Sequence, residues 1–227
     1  IEAVGPDVKD FKPDDEIFYS GSPIRQGSNA EYQLVDERIV GNKPSNLSYA
    51  EAAALPLTTL TAWELLFDRL QVSKDDDSKS ILIIGAAGGV GSIMVQLAKQ
   101  LTKLNIIGTA SREETTSWLQ DLGVYTVLNH KHKLSEELEK HNLPAPDYVV
   151  SLNGTEHHID EIVKLIKPQG KFGFIDDPKS LDVMPFKSKA VSTHFEFMFT
   201  RSMFQTEDMI EQHHILNKVS DLIILSF

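Results

Sequence analysis

The segment Ser80-Ile81-Leu82-Ile83-Ile84-Gly85-Ala86-Ala87-Gly88-Gly89-Val90-Gly91 reads as a strand, a glycine-rich turn and the opening of a helix. Ile81 to Ile84 form a continuous apolar run, the pattern of a strand buried on both faces. Val90, Ile93, Met94, Leu97, Ala98 and Leu101 then recur at helical spacing. A turn placed there brings bare backbone and free N–H groups to a helix N-terminus, which suits a phosphate. Gly88 and Gly89 withhold side chains that would block the approach, and Gly91 lets the helix pack tightly on the strand. Against the pattern Gly-x-Gly-x-x-Gly, Ala86 stands where the first glycine would. The strand–turn–helix context points to a dinucleotide phosphate turn. The competing reading is a tight βα turn with no ligand. The sequence has no Gly-Lys-Ser/Thr, so it is not a P-loop. No Tyr is followed four residues later by Lys, which argues against a short-chain dehydrogenase.

Downstream, the rhythm repeats. Asn105 to Ala110 reads as a second strand, and Ser111-Arg112-Glu113-Glu114 as a capping box opening a second helix. Val124 to Leu128, Asp147 to Leu152 and Lys171 to Ile175 read as three further strands. Ser135 is expected to cap one intervening helix and Thr155 to start the next. Repeated βα units with short loops give an α/β fold with a doubly wound parallel sheet. Upstream, turn formers dominate, as in Lys12-Pro13-Asp14 and Gly27-Ser28-Asn29. Glu16 to Tyr19 and Tyr32 to Val35 read as short strands of a β piece too small to bury a core alone. Ser48-Tyr49-Ala50-Glu51 is a capping box, Pro56 divides the helical run that follows, and Asp75-Asp76-Asp77 marks a polar turn. The expected division is residues 1–50 and residues 51–227.

The end of the second strand bears on which dinucleotide fits. A cofactor without a 2′-phosphate usually meets a carboxylate there. Gly108-Thr109-Ala110-Ser111-Arg112 offers none, and Arg112 is placed to pair with a 2′-phosphate, with Ser111 beside it. This favours NADPH over NADH. Glu113 is the rival and could reach a ribose hydroxyl. On the bland reading Ser111 is only a cap and Arg112 a solvated charge.

Composition narrows the class. The chain has 227 residues, a formal net charge of -11 and 41% hydrophobic residues, ordinary for a soluble globular protein. The acidic balance argues against nucleic acid and anionic membranes as partners. No apolar run approaches membrane-spanning length. Cysteine is absent, which removes disulfides, thiol nucleophiles and Cys-based zinc sites and fits a reducing, cytoplasmic setting. Histidine is the remaining route to a metal. His157-His158 and His213-His214 are adjacent pairs that point apart on a helix, and His130 and His132 fall in a loop, so no metal site is expected.

Three stretches carry a resemblance: Gly27-Ser28-Asn29-Ala30-Glu31-Tyr32, the run from Ala52 to Trp63, and Ala86-Ala87-Gly88-Gly89-Val90-Gly91. Together they resemble the medium-chain dehydrogenase/reductase superfamily, in its quinone oxidoreductase (zeta-crystallin-like) branch and the subfamily labelled zinc-type alcohol dehydrogenase-like. The similarity extends through Phe172 to Pro178 and Glu196 to Phe204. It implies a Rossmann doubly wound parallel sheet plus a partial GroES-like β domain. By that comparison the chain, which begins at Ile1, lacks the first part of the catalytic domain and the segment that returns to it. Ile223-Ile224-Leu225-Ser226-Phe227 departs from the family's usual ending.

The resemblance further implies hydride transfer from NADPH to a quinone or α,β-unsaturated carbonyl, a small-molecule substrate, and a homodimer formed by edge-to-edge pairing of sheets. Val191 to Phe199 is the candidate edge strand, with Phe195, Phe197 and Phe199 alternating onto one face and expected mainly to pack the core. Cofactor contacts implied are Thr61, the turn residues Ala87, Gly88, Gly89 and Val90, then Ser111 and Arg112, then His130, Asn153 and Ile175. His130 stands where the family commonly has a Tyr. Zinc is not expected: Pro56-Leu57-Thr58 occupies the place of a Cys ligand, and an apolar Leu cannot bind zinc. Asp14 replaces the glycine usual in a Gly-Asp-Glu turn, so that turn is expected to change. No catalytic side chain is assigned. The alternatives are a zinc-dependent alcohol dehydrogenase with ligands in a segment not present here, and a non-catalytic NADPH-binding redox sensor.

Overall fold

The computed structural model describes residues 1–75 and 77–225; Asp76, Ser226 and Phe227, named above, lie outside them. Residues 1–60 and 197–227 group as one unit and residues 61–196 as another. The division expected from sequence differs, with residues 51–227 in a single domain.

In the first unit, β1 (Ile17–Tyr19) pairs antiparallel with β2 (Val40–Asn42). The expected strand at Tyr32 to Val35 does not form: Tyr32 is 69% and Leu34 80% exposed, so alternate side chains find no core to cover. Asp14 takes a left-handed conformation, φ +72°, the region glycine enters without strain. The Ser48–Glu51 capping box forms in full and opens α1 (Tyr49–Ala53). Pro56 begins α2 (Pro56–Trp63), where its missing N–H costs no intrahelical bond. That helix runs on as a π-helical stretch, Glu64–Arg69, closed by Leu70 N–H to Leu65 O at 2.9 Å.

The second unit is built on six parallel strands: β3 (Ser80–Ile84), β4 (Asn105–Ala110), β5 (Thr126–Asn129), β6 (Tyr148–Ser151), β7 (Lys171–Phe174) and β8 (Ser192–Phe195). Their order is β5-β4-β3-β6-β7-β8, the doubly wound arrangement expected from the βα repeats. Helices α3 (Gly89–Leu101), α4 (Glu113–Asp121), α5 (Leu134–Lys140) and α6 (Thr155–Leu165) connect them. Leu82, Ile84, Val149, Phe172 and Phe174 share one buried cluster with Leu138 of α5 and Ile162 of α6. On β7, a Cβ at Gly173 would lie 2.7 Å from Leu65 Cδ1, so the missing side chain seats the π-helical stretch on the sheet. The chain then returns to the first unit through α7 (Thr200–Phe204) and α8 (Glu211–Leu225). There Gly41 of β2 lets α8 approach, because a Cβ would come within 2.5 Å of Leu216 Cβ.

Three expected details are corrected. Ser111 makes no capping box: Arg112 is the N-cap of α4, and no side chain caps it. Ser135 lies inside α5, where its hydroxyl donates to Glu161 at 2.6 Å, and Lys133 is the N-cap. The strand expected to reach Phe199 ends at Phe195, so Phe195, Phe197 and Phe199 share no strand face. Phe195 is 70% and Phe197 54% exposed, so neither packs the core.

Candidate functional site

The site begins with one backbone angle. Gly85, directly after β3, has φ +81°, a conformation that favours glycine. The sharp turn is therefore made by Gly85, one residue earlier than the Gly-x-Gly-x-x-Gly alignment implies, and Ala86 is free to be a fully buried packing residue. Gly88 N–H closes the turn on Gly85 O at 3.0 Å and Gly88 becomes the N-cap of α3 with no capping side chain. The N–H groups of the first turn of α3 have no intrahelical acceptor and point outward at the positive end of the helix dipole. A Cβ at Gly88 would meet only Gly85 O, at 3.3 Å, so the space above the turn is open. Gly91 differs: its Cβ would sit 2.4 Å from Ala86 O and 2.6 Å from two more backbone atoms.

Strand order reverses between β3 and β6, and their carboxyl ends part there. A cleft of about 510 Å³ opens at these ends. Gly85 and residues 87–91 form its floor after β3; Thr109, Ala110, Ser111, Arg112 and Thr115 follow β4. His130 and Lys131 follow β5, Leu152 and Asn153 follow β6, and Ile175 follows β7. Ala87, Gly88, Gly89, Val90, Ser111, Arg112, His130, Asn153 and Ile175, expected from sequence, thus line one cleft. Thr61 does not line it; it is buried on α2. Sequence reasoning missed Thr109, Thr115 and Lys131. Their signal was position alone: Thr109 ends a strand, Thr115 lies in the first turn after Arg112, and Lys131 adjoins His130.

The loops that frame the cleft are pinned by polar bonds. Glu137 of α5 accepts from Asn129 N–H at 3.1 Å and pairs with His132 at 3.1 Å, which fixes the loop carrying His130 and Lys131. Asn129 N–H, then His132, hold the Glu137 carboxyl down at about 2, against its burial. Since its folded value lies below the ordinary 4.5, the stabilisation is complete above that range and is lost as pH falls toward 2. Glu137→Gln is expected to cost up to about 3 kcal/mol at pH 7 and progressively less toward pH 3, read by urea unfolding at both values. Asp176 caps α6, accepting from Thr155 N–H at 2.9 Å and from the Thr155 hydroxyl, which also lies 2.8 Å from Ser151 Oγ. This ties Asn153 and Ile175 to neighbouring strand ends. His130 and His158 meet edge to face, centroids 6.4 Å apart. Burial first, then the nearby Lys131 for His130 and the neighbouring histidines for His158, lowers both imidazoles below their ordinary value.

A second cavity of about 470 Å³ lies within the first unit, lined by residues that include Tyr19, Gln33, Lys43 and Tyr49. The Lys43 ammonium there donates to Pro44 O and Leu47 O and pairs with Glu16 at 3.2 Å. The paired histidines at 213 and 214 bond to Val40 O and Glu211. Among the described residues, no three His, Asp or Glu side chains converge as a metal site would require. None of their helices is long and apolar enough to cross a membrane.

The sheet order and the turn define a nucleotide-fold α/β protein. Residues 89–212 match the zinc-binding dehydrogenase family. A zinc-type alcohol dehydrogenase-like protein of Staphylococcus aureus is 44% identical over 227 residues, covering 97% of this chain and 67% of its own length. An NADPH-dependent alkenal/one oxidoreductase of Arabidopsis thaliana chloroplasts is 34% identical over 177 residues, covering 75% of this chain and 43% of its own. A Rhizobium etli CFN 42 crystal structure, provisionally a zinc-dependent alcohol dehydrogenase, is 55% identical with a TM-score of 0.96 over 100% of this chain and 67% of that one. The chain belongs to the medium-chain dehydrogenase/reductase superfamily, a family of oxidoreductases.

Proposed function

We propose that this chain carries the cofactor-binding part of an NADPH-dependent reductase of quinones or α,β-unsaturated carbonyls that works without zinc. The observation carrying it is the cleft at the strand-order switch: a bare-amide turn at one end, and Arg112 and Lys131 with no carboxylate at the end of β4. The pyrophosphate would lie on Ala87, Gly88, Gly89 and Val90, and the 2′-phosphate on Ser111 and Arg112. His130 would face the adenosine side, and Asn153 and Ile175 the nicotinamide half. A bound nicotinamide supplies the hydride; the protein orients it and excludes water. An electron-poor acceptor needs no metal, because backbone N–H groups can meet the charge that develops on its distal oxygen. The name of the Arabidopsis relative supports both cofactor and acceptor class. Residues at the Pro56-Leu57-Thr58 position do not fit zinc, since none is a thiolate, imidazole or carboxylate. The family name favours a second reading, a zinc-dependent alcohol dehydrogenase whose ligands lie in residues this chain does not contain. The exposed edge strand β8 is the proposed homodimer contact, in the cytoplasm.

Cofactor titration followed by an acceptor screen on the full-length protein, with metal analysis, tests this reading. Oxidation of NADPH by quinones or enals supports it; one tightly held zinc per chain overturns the zinc-free part, and binding without turnover favours a sensor. Arg112→Ala is expected to weaken NADPH by about 1.5–3 kcal/mol more than NADH, one lost charged hydrogen bond. Fluorescence titration of both cofactors checks it, and equal losses would show that Arg112 does not read the phosphate.

A further inference from the structure

Thr109, which no sequence pattern singles out, stands at the junction of the turn and the loop after β5. Its hydroxyl oxygen lies 3.1 Å from Gly85 N and 3.2 Å from His130 Nδ1, and the residue is almost wholly buried. An amide N–H can only donate, so Thr109 Oγ1 accepts from Gly85. The hydroxyl proton is then free to point at His130 Nδ1. In a neutral imidazole one nitrogen accepts and the other carries the proton. We propose that Thr109 is a positioning residue that fixes His130 as the Nε2–H tautomer, giving the cleft a side-chain donor for an acceptor oxygen of the bound dinucleotide. The inference rests on the dinucleotide reading for its ligand, but its tautomer half concerns the chain alone.

Three features of the structure converge on this. Gly85 holds the left-handed turn, so a bond to its amide also holds the turn in register. His130 lines the same cleft as the turn. Half-burial, then the neighbouring Lys131, disfavours the charged ring, and the neutral ring leaves Nδ1 able to accept. Threonine suits this position because it accepts and donates through one atom. Alanine or valine at this strand end would leave both Gly85 N–H and His130 Nδ1 without that partner.

The experiment uses the ligand-free protein first. Long-range ¹H–¹⁵N spectra of the imidazole nitrogens, assigned by comparison with His130→Gln, should show protonated Nε2 and bare Nδ1 for His130. Thr109→Val should shift that pattern toward mixed tautomers and Thr109→Ser should restore it. NADPH affinity should fall roughly fivefold in Thr109→Val, the worth of one hydrogen bond, and recover in Thr109→Ser. A wild-type His130 protonated on Nδ1 overturns the proposal, as does an unchanged affinity in a folded Thr109→Val. If wild-type protein binds neither NADPH nor NADH, the dinucleotide reading fails and the donor role falls with it, while the tautomer spectrum still decides the Thr109–His130 bond.

Discussion

Gly91→Ala is expected to lose at least about 3 kcal/mol of stability and, in any fraction that folds, most cofactor binding. The added methyl would sit 2.4 Å from Ala86 O and 2.6 Å from Ala86 C and Cα, all backbone atoms of the turn that α3 rests on. A flexible side chain could swing away; a peptide group between a left-handed glycine and a helix cap cannot. Relief requires α3 to move off β3, and β3 is the central strand, bonded to β4 on one side and β6 on the other. Helix displacement would also re-aim the amides proposed to hold the pyrophosphate. Gly88→Ala is the companion: its methyl meets only one atom, at 3.3 Å, so stability should change little while binding falls. Urea unfolding and NADPH titration of both variants separate packing from access. A Gly91→Ala protein as stable as wild type would refute the close approach of helix and turn.

The second large effect concerns pH. Glu64 of the π-helical stretch and Glu196, just past β8, are both buried, and Arg69 lies 2.9 Å from Glu196 Oε2 and 3.9 Å from Glu64 Oε2. One guanidinium faces two carboxyl groups, so the pair keeps a proton. Burial first, then the neighbouring Glu64, pushes Glu196 up to about 8 against the pull of Arg69. Because the folded value lies above the unfolded one, the folded chain binds a proton that the unfolded chain has released between about pH 4.5 and 8. That contribution is whole below about 4.5 and declines as pH rises to about 8. Glu196→Gln, which cannot ionise, should gain on wild type across this window, on the order of 3 kcal/mol by about pH 8. Thermal melts from about pH 5 to 9 read the difference between the two proteins. A difference that stays flat across the window would mean the pair does not share a proton.

Much of the larger unit was legible because buried parallel strands leave an unmistakable apolar run. Ile81 to Ile84 could hardly be anything else, and the helical spacing from Val90 to Leu101 fixed what followed. The turn residues were legible for the same reason, since glycines between two such elements have few other uses. What failed was local hydrogen-bond competition. Ser111 and Ser135 both matched capping patterns, but the helices start elsewhere: Arg112 caps α4, and Ser135 turns instead to Glu161. Tyr32 to Val35 had strand composition and lacked a partner, which no single stretch of sequence reveals. Thr109, Lys131 and Asp176 depend on which strand ends lie side by side, so they emerge only once the sheet order is known. The Glu64–Glu196 pair, 132 positions apart in the chain, is invisible to any local pattern.

The cleft takes its walls from the tips of five strands, the first contributing Gly85 and the last Ile175. No pair of adjacent βα units contains all of it. During synthesis, therefore, the dinucleotide proposed to bind there would stabilise the chain only once β7 has docked beside β6. Protection against proteolysis by the proposed cofactor should consequently switch on abruptly with increasing fragment length rather than accumulate unit by unit.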